Sequence, residues 1–316
     1  MIDRNAAIGL FAVLVVALII VAVVAVMFIP WKAISIDEKR NVAKIPGIEQ
    51  MIVTIASTAG HVDVSFGDLS DDLAQFSVEG AEHVTLFTEN AQYNLNFSAS
   101  PSIDGKTMNI QADVWFDNLG IGLPFSNLTT RIVLDRSIPS YIGVQSTTGL
   151  VSLTTSSGVT LNGAYLQATT GGVTMTLAEG TNLTGHVSLI TTTGAVALNW
   201  NSVVAMGATQ LTLDATTGAV EANVTQHVDL GGNVTFSAIT TTGVVSWTMN
   251  ISDGNAARIQ SASGFDNVNV QRNVGFTGSN NDLSSANYPN TQGHKFDIGL
   301  SVNTGSINLN LQYATV

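Results

Sequence analysis

Leu211-Thr212-Leu213-Asp214-Ala215-Thr216-Thr217-Gly218-Ala219-Val220 alternates apolar with small or polar residues up to a glycine, and the alternation resumes after it. Period-2 alternation is the pattern of a half-buried strand, and glycine supplies the positive φ of a tight turn. The phrase recurs as Thr147-Thr148-Gly149, Thr169-Thr170-Gly171, Thr192-Thr193-Gly194 and Thr241-Thr242-Gly243. Spacings of 22, 23, 24 and 25 residues separate Gly149, Gly171, Gly194, Gly218 and Gly243. A period of that size marks stacked supersecondary units. One unit has a single apolar row and buries it only against its neighbours. The expectation is an all-β chain: an elongated β-solenoid or a body of stacked hairpins, preceded by one N-terminal transmembrane helix.

Working outward, degenerate copies of the phrase extend the array at Ser57-Thr58-Ala59-Gly60, Ser261-Ala262-Ser263-Gly264 and Asn303-Thr304-Gly305. Threonine is β-branched, favours strands and bonds locally at turns, so the Thr pairs read as turn and strand chemistry. An ordered threonine surface for ice or crystalline polysaccharide is the sharper reading, but it asks for Thr-x-Thr on one flat face.

Ile132-Val133-Leu134, Ile138-Pro139 and Val144 to Leu153 resemble the adhesin-like, or toastrack, β-strand-repeat family. There a strand ending near proline leads into units of Thr-Thr-Gly followed by alternating hydrophobic residues. The resemblance spans about residues 48 to 316 and is best over 144 to 249. It implies a β-repeat body that is often membrane-tethered, with adhesion or envelope-stress roles, and it brings no catalytic residues.

Ala6 to Ile29 are 24 consecutive uncharged residues. As a helix they span about 36 Å, enough for a hydrocarbon core of about 30 Å. Pro30 and Trp31 close the run, and its length exceeds the apolar core of a cleaved signal peptide. The segment therefore reads as an uncleaved single-pass anchor in the plasma membrane. Lys32, Lys39, Arg40 and Lys44 follow it, which by the positive-inside rule favours a cytoplasmic C-terminal side. The opposite orientation, with the β body extracellular, is preferred because long domains translocate largely regardless of charge. Six Asn-x-Ser/Thr sequons agree with it: Asn96, Asn127, Asn182, Asn223, Asn233 and Asn250 are candidate glycosylation acceptors.

Four parts follow along the chain. Residues 1–31 hold the anchor and 32–46 a short charged stalk. Residues 47–140 form an irregular β region that begins the β body. Residues 141–316 form the Thr-Thr-Gly array, broken by a polar insertion at 275–293 that is a candidate contact surface.

Chemistry is sparse. No Lys or Arg lies between Arg136 and Arg258, and the net charge is −12, so nucleic-acid binding is excluded for this surface. The chain lacks cysteine, which removes disulfides and thiolate metal sites. Histidines 61, 83, 186, 227 and 294 are scattered without ligand spacing. Asp68, Ser70, Asp72 and Glu79 fit part of a calcium-loop template, which fails at Leu73 where glycine is required. Neither a cofactor nor a metal is expected.

The function expected is non-enzymatic: a surface body for adhesion, envelope structure or partner sensing, with a protein or glycan partner. Two alternatives stand beside it. A carbohydrate-active solenoid enzyme would use Asp214, Glu221 and Asp229, and a filament or surface-layer subunit would use the exposed terminal edges of the array. Oligomeric state is not readable from the residues.

Overall fold

The structure, a computed structural model, describes residues 32–84, 92–117, 128–252, 254–264, 267–289 and 293–314. The apolar run Ala6 to Ile29 and the sequon at Asn127 lie outside them. Among the described residues the chain is all β, and no helix is long and apolar enough to cross a membrane.

Each repeat is one turn of a parallel coil. In Val187–Asn201, Thr209–Gln226, Val234–Ser252 and Lys295–Ala314 the two strands expected per unit run together as one long strand. The glycine in the middle is a corner. Residues before it pair in a first sheet and residues after it pair in a second, in parallel register with the neighbouring turns. A short third side closes the coil where Thr160 and Leu161 pair with Asn182 and Leu183, and these with Val204 and Ala205.

Inward positions stack into straight columns. On the first sheet Ile55, Val144, Leu166, Leu189, Leu213, Ala238 and Leu300 are partners in succession. On the second sheet the matching column is Val62, Val151, Val173, Val196, Val220, Val245 and Ile307. All of them are almost completely buried, so the alternation in the sequence is the core itself. Near the distal end the columns widen into an aromatic cluster. Trp200 meets Phe236 edge-on at 5.6 Å, and Phe236 meets Trp247 at 5.1 Å. Trp200 Nε1 donates to Gln226 Oε1 at 2.7 Å, and Gln226 Nε2 donates to the Val203 and Val228 carbonyls, so this buried amide pins two turns.

The corner glycines form a spine. Gly149, Gly171, Gly194, Gly218, Gly243 and Gly305 have φ between 128° and 150°. A Cβ on any of them would overlap the carbonyl oxygen of the corner glycine one turn below, from Gly60 up to Gly243. Both the backbone angle and the space therefore demand glycine.

At both ends the spatial order departs from the chain order. Gln50–Ser57 and His61–Gly67 lie between Ser140–Thr148 with Val151–Thr154 on one side and Thr107–Asp117 with Thr129–Asp135 on the other. At the far end Lys295–Ala314 lies between Val234–Ser252 and the pair Ala256–Ser263 and Val268–Val274. Antiparallel strands cover the ends: Gln92–Pro101 on the first sheet, and Asp72–Val84 followed by Lys32–Ala43 on the second.

Two segments therefore differ from expectation. The 32–46 stalk is largely strand, because Ile36 and Val42 turn inward against the body while Asp37, Lys39 and Arg40 face outward. Lys44 fastens its end, reaching Asp135 at 2.6 Å and donating to the Leu69 carbonyl. The polar insertion folds into a hairpin, Phe276–Ser279 with Asp282–Ser285, that pairs antiparallel with Ala256–Ser263. Arg258 grips Asp282 through two bonds of 2.9 and 2.7 Å, and Phe276 and Leu283 are buried beneath it.

Gly218→Ala is expected to destabilise the protein by about 3–5 kcal/mol, since strain and overlap act together. Gly105→Ala, at φ 71° with open space around it, should cost only about 1–2 kcal/mol. Urea-unfolding midpoints of the two variants compare them directly.

Candidate functional site

The corner that needs glycine also sets where the threonines go. Thr148, Thr170, Thr193, Thr217, Thr242 and Thr304 are register partners along the stack, with the preceding residues beside them. Apart from the half-buried Thr148 these corner threonines are exposed, and no side-chain hydrogen bond of the pair residues is found among the described residues. The bonds to corner carbonyls come instead from buried neighbours: Thr191 Oγ1 donates to Gly171 and Thr240 Oγ1 to Gly218. The local bonding expected of the pairs is thus carried by the residue before them.

Where the first sheet meets this corner, near the proximal end of the stack, the surface sinks. Asp113, Ala56, Gln145 and Gln167 are partners on four successive strands. Ala56 is the short member, so Asp113 and Gln145 stand on either side of a gap two strand spacings wide, roughly 9–10 Å. Nearer the corner, Trp115 supplies an indole, with Thr58, Thr147 and Thr169 beside it. The result is a cavity of about 420 Å³. That lies within the range of about 300–1,000 Å³ usual for small-ligand sites.

Its polar groups are oriented from behind. Gln111 Nε2 donates to Asp113 Oδ2 at 3.0 Å, and Asn96 Nδ2 approaches the same oxygen at 3.5 Å. Tyr165 Oη donates to Gln167 Oε1 at 2.8 Å, which leaves the amide nitrogen of Gln167 as the donor on offer. Thr58 Oγ1 is buried without a hydrogen-bond partner among the described residues.

The residues singled out for catalysis do not converge. Asp214 sits outward on the first sheet, in register with Ile190 and Ile239. Glu221 lies past the corner on the second sheet, beside Ala197 and Ser246. Asp229 is in a turn, bonded to His294 Nδ1 at 3.2 Å. No group of three or more His, Asp or Glu residues suited to a metal ion is found among the described residues. In the calcium-like stretch, Asp68 pairs with Arg136 at 2.5 Å, and Asp72 accepts from Asn41 and Gln75.

The described sequons differ in access. Asn96 and Asn233 are exposed, whereas Asn182, Asn223 and Asn250 are half-buried. The Asn233 side-chain oxygen accepts from the Lys295 backbone N–H at 3.0 Å. The cleft itself escaped sequence reasoning, since Ala56, Asp113, Gln145 and Gln167 meet only through the register at the interleaved end.

No family model matches the chain, and no curated protein matches it. Solved structures of similar arrangement include a candidate cell adhesion protein from Clostridium sporogenes ATCC 15579. It is 13% identical over 88% of this chain and 99% of its own, with a TM-score of 0.39. A candidate adhesin from Bacteroides fragilis NCTC 9343 is 8% identical, covering 88% and 97%, at a TM-score of 0.31. Another, from Parabacteroides merdae ATCC 43184, is 10% identical over 88% and 96%, at 0.24. At these scores the likeness carries no argument about function.

Burial between Ile190 and Ile239 raises the Asp214 carboxyl above its ordinary range. A raised folded-state value favours the protonated form, so stability falls as pH rises from the unfolded value of about 3.9 through the folded one. Asp214→Asn is therefore expected to raise the thermal midpoint at pH 7. The gain should vanish below about pH 4, which melting curves across pH would follow.

Proposed function

We propose that the chain is a non-enzymatic cell-surface recognition protein. In this reading Ala6 to Ile29 tether it to the plasma membrane as a single-pass anchor, and the β body stands outside for adhesion, envelope structure or partner sensing. The observation that carries the proposal is the cleft beside the Thr-Thr-Gly corner. It gathers an indole, two amides, one carboxylate and several hydroxyls on a rigid sheet, which is equipment for contact and not for bond cleavage.

The remaining surface supports the same reading. Paired carboxylates of glycoside hydrolysis work at about 5–9.5 Å on the two sides of one bond. Asp214 and Glu221 occupy different sheets, and Asp229 is engaged with His294. A filament by edge pairing would have to use the antiparallel end strand Gln92–Pro101 and the 276–285 hairpin in place of the parallel array itself.

Protease added to intact cells producing the full chain is expected to digest the body while cytosolic markers stay whole. Deleting residues 6–31 should leave the body inside the cell and protected. A body that stays intact on protease-treated cells of undisturbed surface would overturn the extracellular orientation.

A further inference from the structure

We infer that the cleft formed by Ala56, Asp113, Trp115, Gln145 and Gln167 is a binding site for an uncharged glycan, one or two sugar rings of which lie against the Trp115 indole. This deepens the recognition reading above and rests on it for the source of the ligand.

A pyranose ring has an apolar face of C–H bonds and a rim of hydroxyls. It needs an aromatic surface for the first and a mixture of donors and acceptors for the second. Trp115 provides the aromatic surface, and Gln167, whose side-chain oxygen accepts from Tyr165, presents its amide nitrogen as a donor. Among the described residues both bonds to Asp113 fall on Oδ2, which leaves Oδ1 as the acceptor for a sugar hydroxyl. Gln145 offers both functions of an amide at the opposite wall. Thr58, whose buried hydroxyl has no partner among the described residues, lines the corner end of the cleft, where a buried polar atom gains most from a ligand partner.

Charge selects among sugars. Among the described residues the only charged group lining the cleft is Asp113, and no described Lys or Arg lines it. Uronates, sialic acids and phosphorylated sugars would bring a second negative charge without a cation to meet it, whereas neutral hexoses and N-acetylhexosamines meet no such penalty. The shape agrees. With Ala56 as floor between taller neighbours, the depression follows that strand towards the corner, where Thr58, Thr147 and Thr169 line it, so a chain can continue beyond the rings in the cleft.

The test is isothermal titration calorimetry on the full chain in lauryldimethylamine oxide micelles, because detergents with sugar headgroups would compete. Probes are lactose, cellobiose, mannobiose and chitobiose, with digalacturonate as the anionic comparison. Saturable binding of at least one neutral probe is expected. Trp115→Ala should abolish it, and Gln145→Ala or Gln167→Ala should weaken it about tenfold. Gln260→Ala, on the same sheet at the other end, should leave it unchanged. Thermal melting confirms that each variant is folded, and Trp115→Phe, which keeps a ring, should retain part of the affinity. Absence of saturable binding to every neutral probe by the folded wild-type chain overturns the proposal, as does undiminished binding in Trp115→Ala or preference for digalacturonate. Cell-surface protease access and sugar binding are read separately, so either can fail while the other stands.

Discussion

The carbonyl oxygen of one corner glycine occupies the place where the glycine one turn above would carry a side chain. That contact, repeated from Gly60 to Gly305, lets each strand turn sharply from the first sheet to the second without leaving the parallel register. Everything else follows from it. Two sheets back to back give two inner faces that bury the alternating apolar residues. Any side chain at the corner would push successive turns apart and break the columns of valine and leucine on both sides. The threonines flanking the glycine are thereby forced outward, and their exposure is a by-product of a backbone requirement.

Much of this is written locally and so is legible in the sequence. Leu211-Thr212-Leu213 before Gly218, with Ala219-Val220 after it, specifies strand, corner and strand within a dozen residues. The period of the glycines specifies stacking. What is not legible is order along the stack. Gln50–Ser57 lies between Thr107–Asp117 and Ser140–Thr148, and nothing in its alternation distinguishes that neighbourhood from the one chain order suggests. Parallel partners are chosen by long-range fit of apolar columns, a property of pairs of segments and not of either one.

The same limit hides the cleft. Ala56 is an ordinary small strand residue, and Gln145 and Gln167 are ordinary outward amides, until register brings them beside Asp113 and Trp115. In Lys32–Ala43 the concealment has another cause. An end strand keeps one face in solvent, and the charges Asp37, Glu38, Lys39 and Arg40 outweigh the inward Ile36 and Val42 in any compositional view. The 276–285 hairpin is polar for a comparable reason: it caps the stack, and a cap needs few apolar residues beyond Phe276 and Leu283.

The interleaved ends bear on how such an array comes apart. A simple solenoid resembles a one-dimensional chain of nearest-neighbour contacts, free to fray from either tip. Here the last described strand, Lys295–Ala314, is clasped between Val234–Ser252 and the earlier strands Ala256–Ser263 and Val268–Val274. It cannot peel away without dissolving two interfaces at once, and Ala256–Ser263 and Val268–Val274 cannot settle until it has arrived. The tips of the stack are thus joined to the interior by topology, which makes the body a cooperative unit and not a row of separable repeats.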